Sequence, residues 1–358
     1  MTQPIKVGII GAGAVTIFHY RGYTAAGAHI KAMADIDARA LEARRREWGI
    51  PEGYHDYHDM LADPEIEAVS ICLPNALHHS AAIAAARAGK HVLCEKPLSL
   101  SLERGREMIQ ACREAGVILQ TGHHLRSGAE AAKARALIQS GALGRLTYIR
   151  LRQAHDWAGA STIRDSFAKL AHSGGGTLLD NGCHLMDLAR FYGGSVQRLH
   201  ASTATLGFDI EVEDTASVSV QFESGALATI EASWVATGWE NAFSIYGTKG
   251  ALEYTNRLQP AVMRHYFRES PGTTWDKPDV AVYQLGGLDA HSRAVVDFLE
   301  AVRGQREVVC TGEDGLEAVR LVLASYESAR SGRPVALSEF PASGAAADLT
   351  ARPPATPV

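Results

Sequence analysis

The chain has 358 residues, 46% of them hydrophobic and 21% charged, with a formal net charge of −5. That length and composition point to two globular domains with real cores, and the negative charge without a Lys/Arg-rich block excludes nucleic acid or an anionic membrane as the main partner. Five cysteines (Cys72, Cys94, Cys112, Cys183, Cys310) form no C-x-x-C and read as reduced, buried thiols, and no apolar run approaches the ~18 residues of a membrane span.

The first strand is expected over 5–10, with no signal peptide ahead of it and the cytoplasm as the expected compartment. A helix follows to about residue 26, then a strand over 29–34 and a charged helix over 38–48. Strands over 68–73, 90–94 and 117–120 alternate with helices over 76–88 and 102–115. Such alternation implies parallel strands with crossover helices, an α/β doubly wound sheet. The rhythm breaks at Gly122, so a dinucleotide-binding domain is read over 1–122. After a helix over 129–140, strands over 146–153, 196–205, 215–222, 226–234 and 242–246 dominate, with turns at ESGA and GTKG. They predict an α+β domain over 123–340 built on a large, mostly antiparallel open sheet, closed by helices over 292–302 and 314–331. The small, Pro-rich tail over 341–358 reads as unstructured.

KVGIIGAGAVTIFHY places Gly11, Ala12, Gly13, Ala14 and Val15 between the first strand and its helix. This is the G-x-G part of a dinucleotide fingerprint. Gly11 permits the tight turn, and Gly13 lets the backbone approach a pyrophosphate at the positive helix N-terminus. Thr16 stands where a third glycine is usual, which predicts looser helix–strand packing. Asp35 ends the second strand, where an acid accepts ribose hydroxyls and repels a 2′-phosphate, favouring NAD over NADP. The alternative for Asp35 is a helix N-cap.

Residues 174–190 read GGGTLLDNGCHLMDLAR. If the run after Gly176 is helical, Asp180, His184 and Asp187 share one stripe roughly 60° wide. A solvated polar face and a functional stripe are both open at this point. His55/His58, His78–His79 and His123–His124 raise the question of a metal among 15 histidines. None forms H-E-x-x-H or a Cys/His quartet, and no metal is expected.

CLPNALHH (72–79) and CEKPLSLS (94–101) follow two successive strands, at the carboxyl ends where a doubly wound sheet binds its ligand. Together with GIIGAGAV, with Asp180 four residues before His184, and with GEDGLEAVRLVLASYESARSGRPVAL near the end, the chain resembles the glucose–fructose oxidoreductase/inositol dehydrogenase (Gfo/Idh/MocA) family over about residues 5–338. The resemblance implies that Gly11, Gly13 and Asp35 hold the adenosine and pyrophosphate. It puts Leu73, Pro74, Asn75 and His78 along the cofactor groove, and Glu95 and Lys96 beside the nicotinamide. Lys96, Asp180 and His184 become the catalytic group of an NAD-dependent oxidoreductase. GHHLRS (122–127) departs from the aromatic- or Asn-containing family sequence, although Arg126 matches its usual basic residue.

The side chains suit that chemistry. Oxidising a secondary alcohol sends a hydride to the nicotinamide and a proton to a base, and a neutral imidazole titrates near working pH. His184 is the expected acid/base, Asp180 its orienting partner and Lys96 the stabiliser of the alkoxide; Asp187 reads as structural. Substrate contacts are expected from Arg126, His155 and Trp157 beside Asp180 and His184, with Arg164, Lys169 and Trp239 as weaker candidates. The expected substrate is a sugar, cyclitol or sugar derivative, and the expected assembly a homodimer or homotetramer. A glycoside-cleaving enzyme using NAD for transient oxidation and a non-catalytic NAD(H) sensor are the alternatives.

Overall fold

The short apolar runs of the first third become a six-stranded parallel sheet in a computed structural model of the chain, which describes residues 4–156, 167–236, 238–257, 260–270, 274, 276–343 and 348–349. Its strands are β1 (Lys6–Ile10), β2 (His29–Ala34), β3 (Glu52–Tyr54), β4 (Ala68–Ile71), β5 (His91–Cys94) and β6 (Leu119–Thr121), in the order β3-β2-β1-β4-β5-β6. The order reverses between β1 and β4, which marks a ligand crevice beyond their carboxyl ends. One apolar cluster holds Val69, Val92 and the Ala81, Ala82, Ala85 and Ala86 face of helix His78–Arg87. The other holds Val7, Ile9, Met33 and Leu93.

The chain divides into two compact units, Met1–Gly128 with Leu288–Val319, and Ala129–Gly287 with Arg320–Val358. This differs from the predicted boundary. Helix Ala290–Val302, expected in the second domain, sends Val295, Phe298 and Leu299 into the core with Val7 and Ile9. It packs on helix Thr16–Ala25 at Gly22, where a Cβ would sit 2.7 Å from Ser292 O. An apolar helix face needs an apolar partner, and this sheet face, with Tyr23 and Leu41 of the first two helices, supplies one.

In the second unit, β7 (Leu146–His155), β8 (Val196–Ala204), β9 (Thr215–Phe222), β10 (Leu227–Ser233), β11 (Trp239–Gly247), β12 (Gly250–Thr255), β13 (Val262–Phe267), β14 (Asp279–Gln284) and β15 (Val335–Ala336) form one nine-stranded sheet. Its order is β14-β13-β12-β11-β7-β10-β9-β8-β15, with β7 and β10 parallel and the other pairs antiparallel. Buried and exposed positions alternate along β9 and β10, and helix Thr177–Gly193 lies over β7, β9 and β10. Strands β3 and β12–β14 escaped the sequence reading. Among the described tail residues Leu349 is fully buried, while 344–347 and 350–358 lie outside the described residues. No described helix is long and apolar enough to cross a membrane.

Candidate active site

The turn after β1 is built for close approach. Gly11 has φ +105°, and a Cβ on it would collide with Cys72 O and lie 2.9 Å from Cys72 C. Gly13 is exposed, with open space where its Cβ would stand. Ala14 is also exposed, and Val15 begins helix Thr16–Ala25 with no side-chain cap, so the helix start suits an anion. Thr16 does not loosen this turn: it is buried, and its hydroxyl donates to Gly13 O at 2.5 Å. Asp35 accepts from Ala12 N–H at 2.7 Å and from Asp37 N–H at 2.8 Å. Asp37, not Asp35, caps helix Ala38–Trp48, which removes the capping alternative. Between them Ile36 is 91% exposed, an apolar platform beside a carboxylate that the sequence reading did not single out. The loops after β1 and β2, tied by the Ala12–Asp35 hydrogen bond, offer an uncapped helix start, a carboxylate and an exposed apolar side chain, a set that fits a dinucleotide.

The two following loops are tied together from within. His78 is fully buried, with Nδ1 2.8 Å from Pro97 O and Nε2 2.9 Å from Leu73 O. It is therefore a strut that fixes the loop after β4 to the loop after β5. Burial pushes its pKa down, against the pull of the two carbonyls. Pro74 is exposed and Asn75, opening the turn Asn75–Leu77, is half-buried. Glu95 is buried at the end of β5; one oxygen lies 3.0 Å from His19 Nε2 and the other accepts Lys96 N–H at 3.2 Å. Burial would raise the Glu95 pKa, but the His19 hydrogen bond and the charges of His19, His291 and Lys96 hold it down to about 2. Lys96 is half-buried and precedes a cis Pro97. Phe18, His291 and His124 stack in one pile, with centroids 4.2 Å and 3.2 Å apart. Burial drives His291 down to about 4 and His124 well below the usual histidine range. His19 and His291 were missed because nothing in their spacing marks them.

The stripe on helix Thr177–Gly193 does not face water. Asp180, His184 and Asp187 are 8%, 2% and 1% exposed. Asp180 Oδ2 accepts from the indole Nε1–H of buried Trp234 at 3.2 Å. The helix start is held by Glu213, which accepts from Gly176 N–H at 3.1 Å, Leu178 N–H at 3.0 Å and the Tyr326 hydroxyl at 2.7 Å. A Cβ on Gly176 would collide with Glu213 O, and one on Gly175 with the Tyr326 hydroxyl. Glu213 and Tyr326 lie 37 and 113 residues from their partners, too far apart for local sequence patterns to find them.

Among the expected substrate contacts, His155 is buried, with Nε2 3.2 Å from Asn181 Oδ1 and its ring stacked 4.3 Å from Trp239. Trp239 is exposed and offers its other face. Arg126 instead belongs to the first unit's framework: buried, it donates to Val309 O at 3.2 Å and pairs with Asp314 at 3.0 Å. One guanidinium nitrogen, Nη1, makes both of these contacts. Lys169 is exposed, and Trp157 and Arg164 lie outside the described residues. Among the described residues no group of three or more His, Cys, Asp or Glu side chains is placed to hold a metal ion.

A doubly wound sheet with an N-terminal dinucleotide cradle, followed by a large open-sheet unit, defines an NAD-binding oxidoreductase. Residues 5–123 match the family model described as oxidoreductase family, NAD-binding Rossmann fold, and residues 131–253 match the GFO/IDH/MocA C-terminal domain. The chain belongs to the Gfo/Idh/MocA family. It is 32% identical to 1,5-anhydro-D-fructose reductase of Ensifer adhaerens over 91% of this chain and 96% of that one. It is 29% identical to myo-inositol 2-dehydrogenase of Thermotoga maritima over 94% and 99%. The fold is that of levoglucosan dehydrogenase in complex with NADH and levoglucosan, with a TM-score of 0.86 at 24% identity over 94% of this chain and 100% of that chain.

Proposed function

We propose that the chain is an NAD-dependent dehydrogenase or ketone reductase acting on a secondary alcohol of a sugar, cyclitol or sugar derivative. His184 is its acid/base, Asp180 the partner of that base, and Lys96 the alkoxide stabiliser. The observation that carries this reading is the burial of Asp180 and His184, one turn apart on helix Thr177–Gly193. Buried ionisable groups are costly and concentrate where chemistry needs them. Relatives named for the reduction or oxidation of an anhydrofructose, an inositol, D-apiose and a D-glucoside support the substrate class.

Bound NAD supplies the two-electron acceptor or donor; the chain's own residues manage the proton and the charge. His184 takes the hydroxyl proton in oxidation and returns it in reduction. Asp180, steadied by the Trp234 indole, favours the imidazolium once the proton has arrived. The Lys96 ammonium donates to the oxygen as charge develops on it. Trp239, backed by His155, offers an aromatic face to the apolar side of a ring. Asp35 and Asp37, with Ile36 between them, set two carboxylates where a 2′-phosphate would lie, in keeping with NAD. Self-association through the open face of the nine-stranded sheet is part of the same proposal.

The test is a polyol panel with NAD. NADH should accumulate in step with oxidised product, and Lys96→Ala or His184→Ala should lower kcat by 10²-fold or more, as loss of acid–base or electrostatic catalysis does, while NAD still binds. Full turnover in both variants overturns the catalytic assignment. Cleavage of a glycoside without net NADH would turn the reading to NAD-assisted glycoside cleavage.

A further inference from the structure

A buried polar chain runs behind Glu95, and no step of the proposed reaction uses it. Ser70 sits on β4, whose four residues are all buried, so its hydroxyl must find a partner inside the sheet. Helix Thr16–Ala25 supplies two. His19 and Tyr23, one turn apart and both buried, face Ser70 Oγ at 2.8 Å (His19 Nδ1) and 2.6 Å (the Tyr23 hydroxyl). The other His19 nitrogen, Nε2, lies 3.0 Å from Glu95 Oε1.

The Glu95 end of this chain has a fixed direction. Glu95, an ionised carboxylate, only accepts, so His19 Nε2 carries a proton and donates to it. His19 Nδ1 and the Tyr23 hydroxyl then share Ser70 Oγ as their hydrogen-bond partner. Burial raises the Tyr23 pKa, so the phenol keeps its proton and closes the far end of the chain. The chain ends at Glu95, whose second oxygen accepts Lys96 N–H.

We infer that His19 is a positioning residue for the Lys96 loop: braced by Ser70 and Tyr23, it holds Glu95, and Glu95 holds the Lys96 backbone. This rests on the proposed role of Lys96 for its catalytic consequence, but the positioning itself does not. A purely structural filler would not explain the chemistry. A buried carboxylate is expensive unless donors surround it, and an apolar trio would fill the same space without that cost. The carboxylate stands one residue before Lys96, and one of its oxygens is committed to that residue's N–H.

Three variants separate the possibilities. In His19→Leu, loss of a hydrogen bond to a charged group should lower kcat by about tenfold or more, with the Kd for NAD changed by less than about threefold. His19→Gln, whose amide can donate to Glu95 and accept from Ser70, should recover most of that loss. Ser70→Ala should fall between the two. Amide hydrogen exchange at Lys96 gives a readout independent of catalysis: faster in His19→Leu and near wild type in His19→Gln, with thermal melting confirming that each variant is folded. Unchanged Lys96 exchange in folded His19→Leu, or His19→Gln no better than His19→Leu in both measurements, overturns the inference. If Lys96→Ala keeps full turnover while His19→Leu speeds Lys96 exchange, the proposed catalytic role fails and the positioning stands.

Discussion

At the scale of single residues, the buried histidines of the first unit carry a pH dependence whose sign follows from their surroundings. Burial lowers the pKa of His78, takes His291 to about 4 and pushes His124 well below the usual range. Each therefore binds a proton less readily in the folded chain than in the unfolded one. Their stabilisation is complete above the ordinary value of ~6.5 and is lost as pH falls through it toward the folded value. For His291 alone the loss at pH 5 is on the order of 2 kcal/mol, from the shift between ~6.5 and about 4. Glu95, held down to about 2, behaves otherwise: its contribution is complete above its usual 4.5 and fades only below that. The melting temperature should thus fall between pH 7 and pH 5, and His291→Phe, which keeps a ring in the stack with Phe18 and His124, should flatten that fall. Equal slopes in calorimetry of the two proteins would refute the assignment to His291. Residues with a backbone signature were legible in the sequence: Gly11 and Gly13 announce a tight turn, and Asp35 ends its strand. His19, His291 and Glu213 were not, because their meaning comes from partners 76, 167 and 37 residues away that only the fold supplies.

At the scale of elements, helix Thr177–Gly193 depends on a start that its own sequence cannot provide. Gly176, at its N-cap position, has no side chain to cap with, and the exposed amides of the first turn go to Glu213 instead. An acid at the positive end of a helix stabilises it, and here the acid is buried and also takes the Tyr326 hydroxyl. Gly176→Ala would drive a methyl into Glu213 O. It should cost about 2–4 kcal/mol, the range of overpacked or strained core positions, and lower the yield of folded protein. Glu213→Gln, nearly isosteric, should keep the shape but weaken the cap by about 1–2 kcal/mol. Melting curves of the two variants decide the matter: wild-type stability in Gly176→Ala would show that the backbone can move aside. The glycines before this helix have a packing reason: Gly175 and Gly176 make room for Tyr326 and Glu213. The longer helices and the alternating strands β7–β11 were legible because periodicity repeats over enough residues to register. Strands β12–β14 were not, since charged residues such as Glu253 and Arg264 interrupt their apolar pattern on the open face.

At the scale of the whole molecule, strand alternation and the break at Gly122 pointed to two domains, but not the return of Leu288–Val319 to the first, which depends on matching two distant apolar faces. In the register that builds the second unit, one sheet face carries no helix among the described residues, and the pairing defines what that face presents. Val280, Tyr266, Ala251, Tyr246, Tyr148 and Leu227 stand opposite one another on successive strands, a mainly apolar row across six strands. Val280, Tyr246 and Leu227 in that row are 48%, 39% and 47% exposed. Beside it lie Arg150, Arg152, Glu231 and Glu240, paired at 3.0, 2.7 and 2.8 Å, with both signs of charge within one patch. The proposed self-association would place this apolar seam against a second copy of the chain, with the paired charges at its rim. Light scattering of the wild-type chain should give a mass of two or four chains, and Leu227→Arg combined with Tyr246→Glu should reduce it, since the buried seam would then carry unpaired charges. A wild-type chain that elutes and scatters as a monomer at micromolar concentration, or a double variant that keeps the full assembly mass, would take the contact away from this face.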